Sequence, residues 1–395
     1  MSTRPKKRKS VATLNDNYTV PTSPRMQEYY DIVSYCRPAG SKMEEEMITR
    51  FIEPLGVVRD DFDNLLIKIG DTQVLWSCHT DTVHSVSARQ KLTIDTRGML
   101  GSSMLKDAEG KLTQRLSNCL GADCSTGVWL MIQMIRAKVP GLYIFHREEE
   151  VGGRGSSHIK KELKAKTYKY QSWFDGINYA IAFDRYGLTS IISRQSGGEC
   201  CSQTFVNSLA DILNTGFEAT NFAGTQQTVM FGYKADRGGT FTDTANYMGL
   251  ISECTNISVG YYSQHRNTEY QDLEHMDLLL QKLLQFDESK LVHIRDASKH
   301  SDYSWYDDYD SELKWNGGYY YNNGRGNYVT YPKTTYRHSK DASSTTTTYQ
   351  TGAETRWLYH LVRDHPAIVS EILEELGFDY DQLRGEIKER GGCID

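Results

Sequence analysis

Apolar residues recur along this chain in two rhythms. Tyr29, Ile32, Val33 and Cys36 fall on one side of a helical turn, so a helix is predicted from about Met26 until Pro38-Ala39-Gly40-Ser41 breaks it. Ser41 and Glu44 have capping-box spacing for a second helix, with Met47, Phe51 and Ile52 as its apolar side. Residues 64–70 and 74–78 are short apolar runs joined by Gly70-Asp71, which predicts two strands. Residues 88–118 are less regular and read as hairpin and loop. A strongly apolar helix is expected from about residue 126 to 137, ended by Pro140-Gly141. Buried strands follow at 142–145, 179–183 and 256–260, with helices over 202–214 and about 269–286. In the last helix Leu273, Met276, Leu280, Leu283 and Leu284 share a side. Strands alternating with helices predict an α/β fold whose mainly parallel sheet is covered on both faces.

The pattern stops at both ends. Residues 1–24 are polar and rich in Ser, Thr and Pro, which predicts a disordered tail. Its run Arg4-Pro5-Lys6-Lys7-Arg8-Lys9 reads first as a solubilising terminus, with a nuclear address or anion-binding arm as alternatives. Residues 298–354 are rich in Tyr, Ser, Thr, Asp, Gly and Asn, with almost nothing aliphatic to bury, and read as a disordered linker. Its tyrosines, Tyr319-Tyr320-Tyr321 among them, are alternatively stacking platforms for a partner. Residues 355–390 form a helical appendage. Trp357, Leu358, Leu361 and Val362 make one face, and Pro366 opens and Gly377 closes the next helix. Such a module offers a surface to a protein partner. Residues 25–297 are left as the catalytic-sized domain, and no internal repeat is present.

Composition narrows the function classes. With 395 residues, 38% hydrophobic and 24% charged, the chain has enough apolar material for a sizeable core. A net charge of −6 argues against nucleic acid as a general partner. Eight cysteines form no CxxC pair, and several lie in apolar segments, which suits reduced thiols in the cytoplasm. No apolar run reaches the ~18 residues of a membrane span. The start of the chain lacks the apolar core of a secretion signal, and Cys393 does not fit a prenylation site.

Five apolar segments end in, or lead into, a metal-capable side chain: His79, Asp123, Glu150, Asp184 and His265. Each alone has an ordinary explanation, such as a helix cap or a simple ion pair. Together, two imidazoles and three carboxylates are the donor set that zinc, manganese or cobalt prefers. His79 and Asp81 are two apart on an extended segment, so they point the same way and Asp81 can orient the His79 ring. Glu148-Glu149-Glu150 repel one another, and a cation would relieve that repulsion. An extended backbone turns Glu149 and Glu150 to opposite sides, one toward a metal and the other toward a water.

The order His79-Thr80-Asp81, Gly121-Ala122-Asp123, Glu149-Glu150-Val151-Gly152, Asp184 and His265 resembles the co-catalytic di-zinc exopeptidases, over about residues 26–295. These include bacterial leucyl aminopeptidases and related aminoacylase-type carboxypeptidases. The resemblance implies a three-layer α/β/α fold with a mixed, mainly parallel sheet, and two zinc ions with manganese or cobalt as substitutes. It implies that Asp123 bridges the metals, with His79 and Asp184 on one and Glu150 and His265 on the other. Glu149 would be the general base and Asp81 the orienter of His79. His265 has the weakest surrounding signature, with His84, His146 and His158 as competitors, and Glu148 leaves the glutamate register ambiguous. The family commonly has Asp or Asn after the bridging aspartate, where this chain has Cys124, and holds that peptide bond cis. Thr242-Asp243 resembles the loop lining the substrate end. Asp184 and His265 are too close in sequence to enclose a lid domain, which points to the single-domain aminopeptidase type. The substrate expected is a peptide or aminoacyl amide. An amidohydrolase or carboxypeptidase acting on acylated or conjugated amino acids is the first alternative, and a silent binding protein with the same fold is the second.

Overall fold

The computed structural model describes residues 23–299 apart from 96–97, 103, 107–111 and 116. The tail over 1–22, the linker from residue 300 and the appendage over 355–390 lie outside the described residues.

Eight strands build the main sheet. In chain order they are β1 (Val58–Arg59), β2 (Leu65–Ile69), β3 (Val74–His79), β4 (Gly141–His146), β5 (Tyr179–Arg185), β6 (Ser190–Ile192), β7 (Lys234–Asp236) and β8 (Glu253–Ser258). Their spatial order is β7-β6-β8-β5-β3-β4-β2-β1. The central strands β8, β5, β3 and β4 run parallel, as do β6 and β7. The contacts of β6 with β8, β4 with β2 and β2 with β1 are antiparallel. Every residue of β3, β4 and β8 is buried, as expected of parallel strands covered on both faces.

Six α-helices lie among the described residues: α1 (Pro24–Val33), α2 (Lys42–Met47), α3 (Ala122–Arg136), α4 (Arg154–Ala165), α5 (Gln203–Asn214) and α6 (Leu273–Leu283). Helix α3 packs on β3 and β5 with α1 and α6 beside it, while α4 packs with the turn Asp243–Tyr247. Alternation along β3 keeps these layers apart. Cys78 faces Gly127 of α3. Ser77 faces His146, whose Nε2 lies 2.7 Å from the Tyr247 hydroxyl. The fold is therefore three-layered α/β/α with a mixed, mainly parallel sheet. A second, antiparallel sheet joins Tyr261–Tyr262, Tyr270–Asp272, Met99–Ser102 and Leu92–Ile94, and suspends residues 263–269 between its first two strands.

Several elements differ from the pattern. The final helix starts at Leu273, not at Glu269, because Tyr270–Asp272 pairs with Met99–Ser102 and Asp272 then caps the helix through His275 N–H at 3.0 Å. The strand expected at 256–260 is shifted back to Glu253–Ser258, and Gly260, with φ +96°, turns the chain out of it. Helix α4 was not evident from periodicity. Its buried residues are Gly155, Ser156, Ile159 and Leu163, and two of these are too small to read as hydrophobic. Helix α3 begins formally at Ala122, but Asp123 and Cys124 have non-helical dihedrals. Its regular turns therefore start near Thr126, as the pattern predicts.

The core against α3 tolerates little change. Trp76 stacks on Phe183 with ring centroids 5.4 Å apart. A Cβ on Gly127 would lie 2.6 Å from the Phe183 carbonyl oxygen and 2.5 Å from Cys124 Sγ. Gly127→Ala is expected to destabilise the fold by about 1–3 kcal/mol through overpacking, measured by urea denaturation. A second expectation concerns acid. His275, against Phe231 and Tyr233, has its pKa pulled down to about 4 by burial. The unfolded chain takes up that proton near pH ~6.5, so the contribution of His275 is complete above that value and is lost as pH falls toward 4. That loss is about 3 kcal/mol, and His275→Gln should flatten this part of the stability–pH curve.

Candidate metal centre

The carboxyl ends of the central strands converge on one cleft, the usual ligand position in an open parallel sheet. β3 ends at His79 and β5 carries Asp184 in its last turnward residues. The glutamates follow β4, and Asp123 stands at the start of α3. His265 reaches in from the loop of the second sheet. Asp123, Glu149, Glu150, Asp184 and His265 all line the cleft.

Asp123 lies at the centre. Its Oδ1 is 3.1 Å from His79 Nε2, and its Oδ2 is 3.2 Å from His265 Nε2. Asp184 Oδ1 stands 3.5 Å from His79 Nε2 on one side, and Glu150 Oε1 stands 3.1 Å from His265 Nε2 on the other. Glu149 Oε2 is 4.0 Å from His79 Nε2. The five metal-capable residues named from the sequence thus meet in one place. His84, His146 and His158 do not join them. His84 is bonded to Thr82, His146 lies buried behind β3, and His158 stacks on Phe62. The bond between Asp123 and Cys124 is cis. His265 has φ +62°, the left-handed conformation uncommon outside glycine and frequent at functional sites.

One expectation about the glutamates needs correction. Glu149 and Glu150 do not lie on extended backbone with opposed side chains. Glu148 has φ +59° and starts a turn that sends both into the cleft, while its own carboxylate pairs with Arg154 Nη1 at 2.5 Å. Asp81 faces the imidazole, as the spacing predicts, and also the glutamate loop. Its Oδ1 accepts Glu149 N–H and its Oδ2 accepts Glu150 N–H, both at 3.1 Å. His79 Nδ1 lies 3.0 Å from the Asp81 backbone carbonyl and 3.4 Å from the carboxylate. Likewise Asp243 does not line the cleft. It is buried beneath, 3.3 Å from His146, and Gly239, Thr240 and Phe241 form the wall.

Other anchors have no local signature. The Glu269 carboxylate accepts Leu120 N–H at 2.8 Å and Gly121 N–H at 2.9 Å on Oε2, and Asp123 N–H at 3.1 Å on Oε1. It therefore holds the turn that aims Asp123. In sequence it reads as an ordinary acid entering a helix, which hides it. Asp184 is fixed by Thr242 at 2.7 Å and Tyr261 at 3.2 Å. Asn256 brackets its backbone, accepting N–H at 2.9 Å and donating to the carbonyl at 2.6 Å.

The electrostatics follow from crowding. Burial, then the charge of Asp123, raises Glu150 to about 7 and Asp184 to about 6. Burial also pushes Glu149 well above the usual carboxylate range. Burial opposes the charge on Asp123, but His265 and His79 outweigh it and hold its pKa low. Burial likewise disfavours the His265 cation, yet Asp123 and Glu150 lift its pKa to about 11. Such a site is short of positive charge. Ligand atoms of His79, Cys124 and Asp184, of His79, Glu149 and Glu150, and of Asp123, Glu150 and His265 lie within 4.8 Å of one another in each group. This nitrogen and oxygen set, with one thiol, fits a divalent cation of the zinc type.

No protein-family model matches the sequence, and no curated protein matches it. Solved structures do. A tripeptidase from Staphylococcus aureus is 12% identical, with 66% of this chain and 96% of that chain covered and a TM-score of 0.46. Aminopeptidase PepT from Bacillus cereus is 14% identical, over 66% of this chain and 96% of that one, with a TM-score of 0.44. The TET1 peptidase of Pyrococcus horikoshii is 15% identical, over 67% of this chain and 99% of that one, also with a TM-score of 0.44.

Replacing Glu269 tests the anchor. Glu269→Gln leaves one acceptor oxygen and sets an amide N–H against the backbone donors. Metal affinity, read by competition with a chelator, is expected to fall about 10–100-fold, as for other supports of ligating residues, while the chain stays folded by circular dichroism.

Proposed function

We propose that this chain is a metal-dependent exopeptidase of the aminopeptidase type, cleaving the N-terminal bond of a peptide or an aminoacyl amide. The observation that carries the reading is Asp123, whose two oxygens face two separate imidazoles, each with a further carboxylate beside it. Asp123 would bridge two zinc ions, replaceable by manganese or cobalt. His79 and Asp184 would hold one ion, and Glu150 and His265 the other. When bound, the ions would supply Lewis acidity to the scissile carbonyl and to water.

The remaining chemistry belongs to the chain. Glu149 lines the cleft and is held at its backbone by Asp81. Burial raises its pKa, so its carboxylate, once ionised, is a strong base that can take the proton of the attacking water and return it to the leaving amine. Asp81 keeps Glu149 and Glu150 in register, and the Asp81 carbonyl fixes the His79 ring through Nδ1. Seven described cysteines, all unpaired and buried, support a reducing, cytoplasmic setting. Among the described residues no helix is long and apolar enough to cross a membrane.

The test compares a free-amine peptide with its N-acetylated counterpart, using zinc-loaded protein. Hydrolysis of the free amine alone supports the aminopeptidase reading, and preference for the acylated form moves the assignment to an amidohydrolase. Glu149→Gln should retain both ions by elemental analysis and lose about 10²–10⁴-fold in kcat. Near wild-type turnover in that variant would remove Glu149 as the base.

A further inference from the structure

One wall of the cleft carries a cation that the metal chemistry does not use. Arg185 closes β5, where the pairing with β8 shifts register between Ala182 and Arg185. A bulge of this kind re-aims a side chain, and Arg185 lines the cleft together with Tyr186, Ile192 and Phe241. Its guanidinium lies over the Tyr186 ring, 4.1 Å from the centroid, and the side chain is 11% exposed.

Its pairing is incomplete. Nη2 donates to Asp236 Oδ2 at 3.0 Å and to the Tyr186 hydroxyl at 3.3 Å. Asp236 is already shared, because Oδ2 also accepts the Ser190 hydroxyl at 2.7 Å and Oδ1 accepts Gly238 N–H at 2.7 Å. Nε of Arg185 is buried without a hydrogen-bond partner. A buried donor left unpaired is destabilising, and Nε is one edge of the fork with which a guanidinium grips a carboxylate. Arg37 also has an unpaired nitrogen, but it is enclosed by Thr80, Ile32 and Ser125 and does not line the cleft.

We propose that Arg185 receives a carboxylate of the substrate, so that the cleft selects anionic peptides. The assignment rests on the peptidase reading of the same site. Two sources share this chemistry: an acidic side chain on the first residue, and the free C-terminus of a very short peptide. The apolar wall formed by Ile192, Tyr186 and Phe241 would pack the aliphatic part of either.

Two matched pairs distinguish the sources: glutamyl against glutaminyl anilide, and leucyl-glycine against leucyl-glycinamide. In one pair kcat/KM for the carboxylate member should exceed that of its neutral partner by about tenfold or more. Arg185→Gln should bring that ratio near one, and Arg185→Lys, which keeps the charge but not the fork, should retain part of it. If Arg185→Gln does not fold, the lysine variant carries the comparison. Equal rates within both pairs, or a ratio unaffected by Arg185→Gln, overturn the proposal. Calorimetric titration of the zinc-loaded protein with glutamate and with glutamine, and with glycylglycine and with its amide, reads the site without turnover. Tighter binding of a carboxylate ligand through Arg185, with no peptide hydrolysed, would sink the peptidase reading and leave the carboxylate site standing. Hydrolysis with no carboxylate preference would do the reverse.

Discussion

Backbone N–H groups aimed at carboxylates are what the rest of this structure depends on. The cleft gathers Asp123, Glu149, Glu150 and Asp184 in a small, largely buried volume, where like charges repel and water cannot screen them. Side-chain repulsion would splay such a group unless the main chain were pinned. Two acids outside the ligand set do the pinning. Asp81 takes the amides of Glu149 and Glu150, and Glu269 takes those of Leu120, Gly121 and Asp123. Asp81 fixes the turn after β4 and Glu269 the turn before α3, so the chain itself orders the candidate ligands. Preorganisation of this kind spares the cation the cost of ordering its own ligands.

A second ring of charge supports the first. Glu44 is buried and accepts from Thr80, Gly40 N–H and Arg147, while Arg147 begins the glutamate turn. Arg37 donates to the Thr80 carbonyl and to Ser125. The segment around residue 80, the start of α3 and the turn after β4 are thereby tied to one another through the buried Glu44–Arg147 ion pair and the hydrogen bonds of Arg37. Removing one partner of such a pair leaves an uncompensated charge in the interior, which is far more damaging than losing a surface pair.

Much of the candidate site was legible in the sequence because four of its five metal-capable residues adjoin an apolar run. His79, Asp184 and the glutamates end strands whose hydrophobicity is unmistakable, and Asp123 precedes an equally apolar helix. The fold class followed from the same runs. What the sequence hid was of two kinds. Glu269, Thr242, Tyr261 and Asn256 act through hydrogen bonds across 58 to 149 positions, and nothing local marks them. Helix α4 and the conformation of Glu148 are set by small residues and by a turn, where the hydrophobic pattern is silent. The additional contacts of Asp81 with the glutamate turn have the same origin, since spacing says which side chains face together and not which amides they will meet.

The second sheet gives the centre a mechanical character. Four of the five candidate ligands ride on the main sheet and its loops, whereas His265 hangs from the antiparallel sheet between Tyr262 and Tyr270. An ion held jointly by Glu150 and His265 would be a rivet through two plates. Prying the plates apart would require its release, so that the small sheet, with few strands of its own, would borrow rigidity from whatever sits in the cleft.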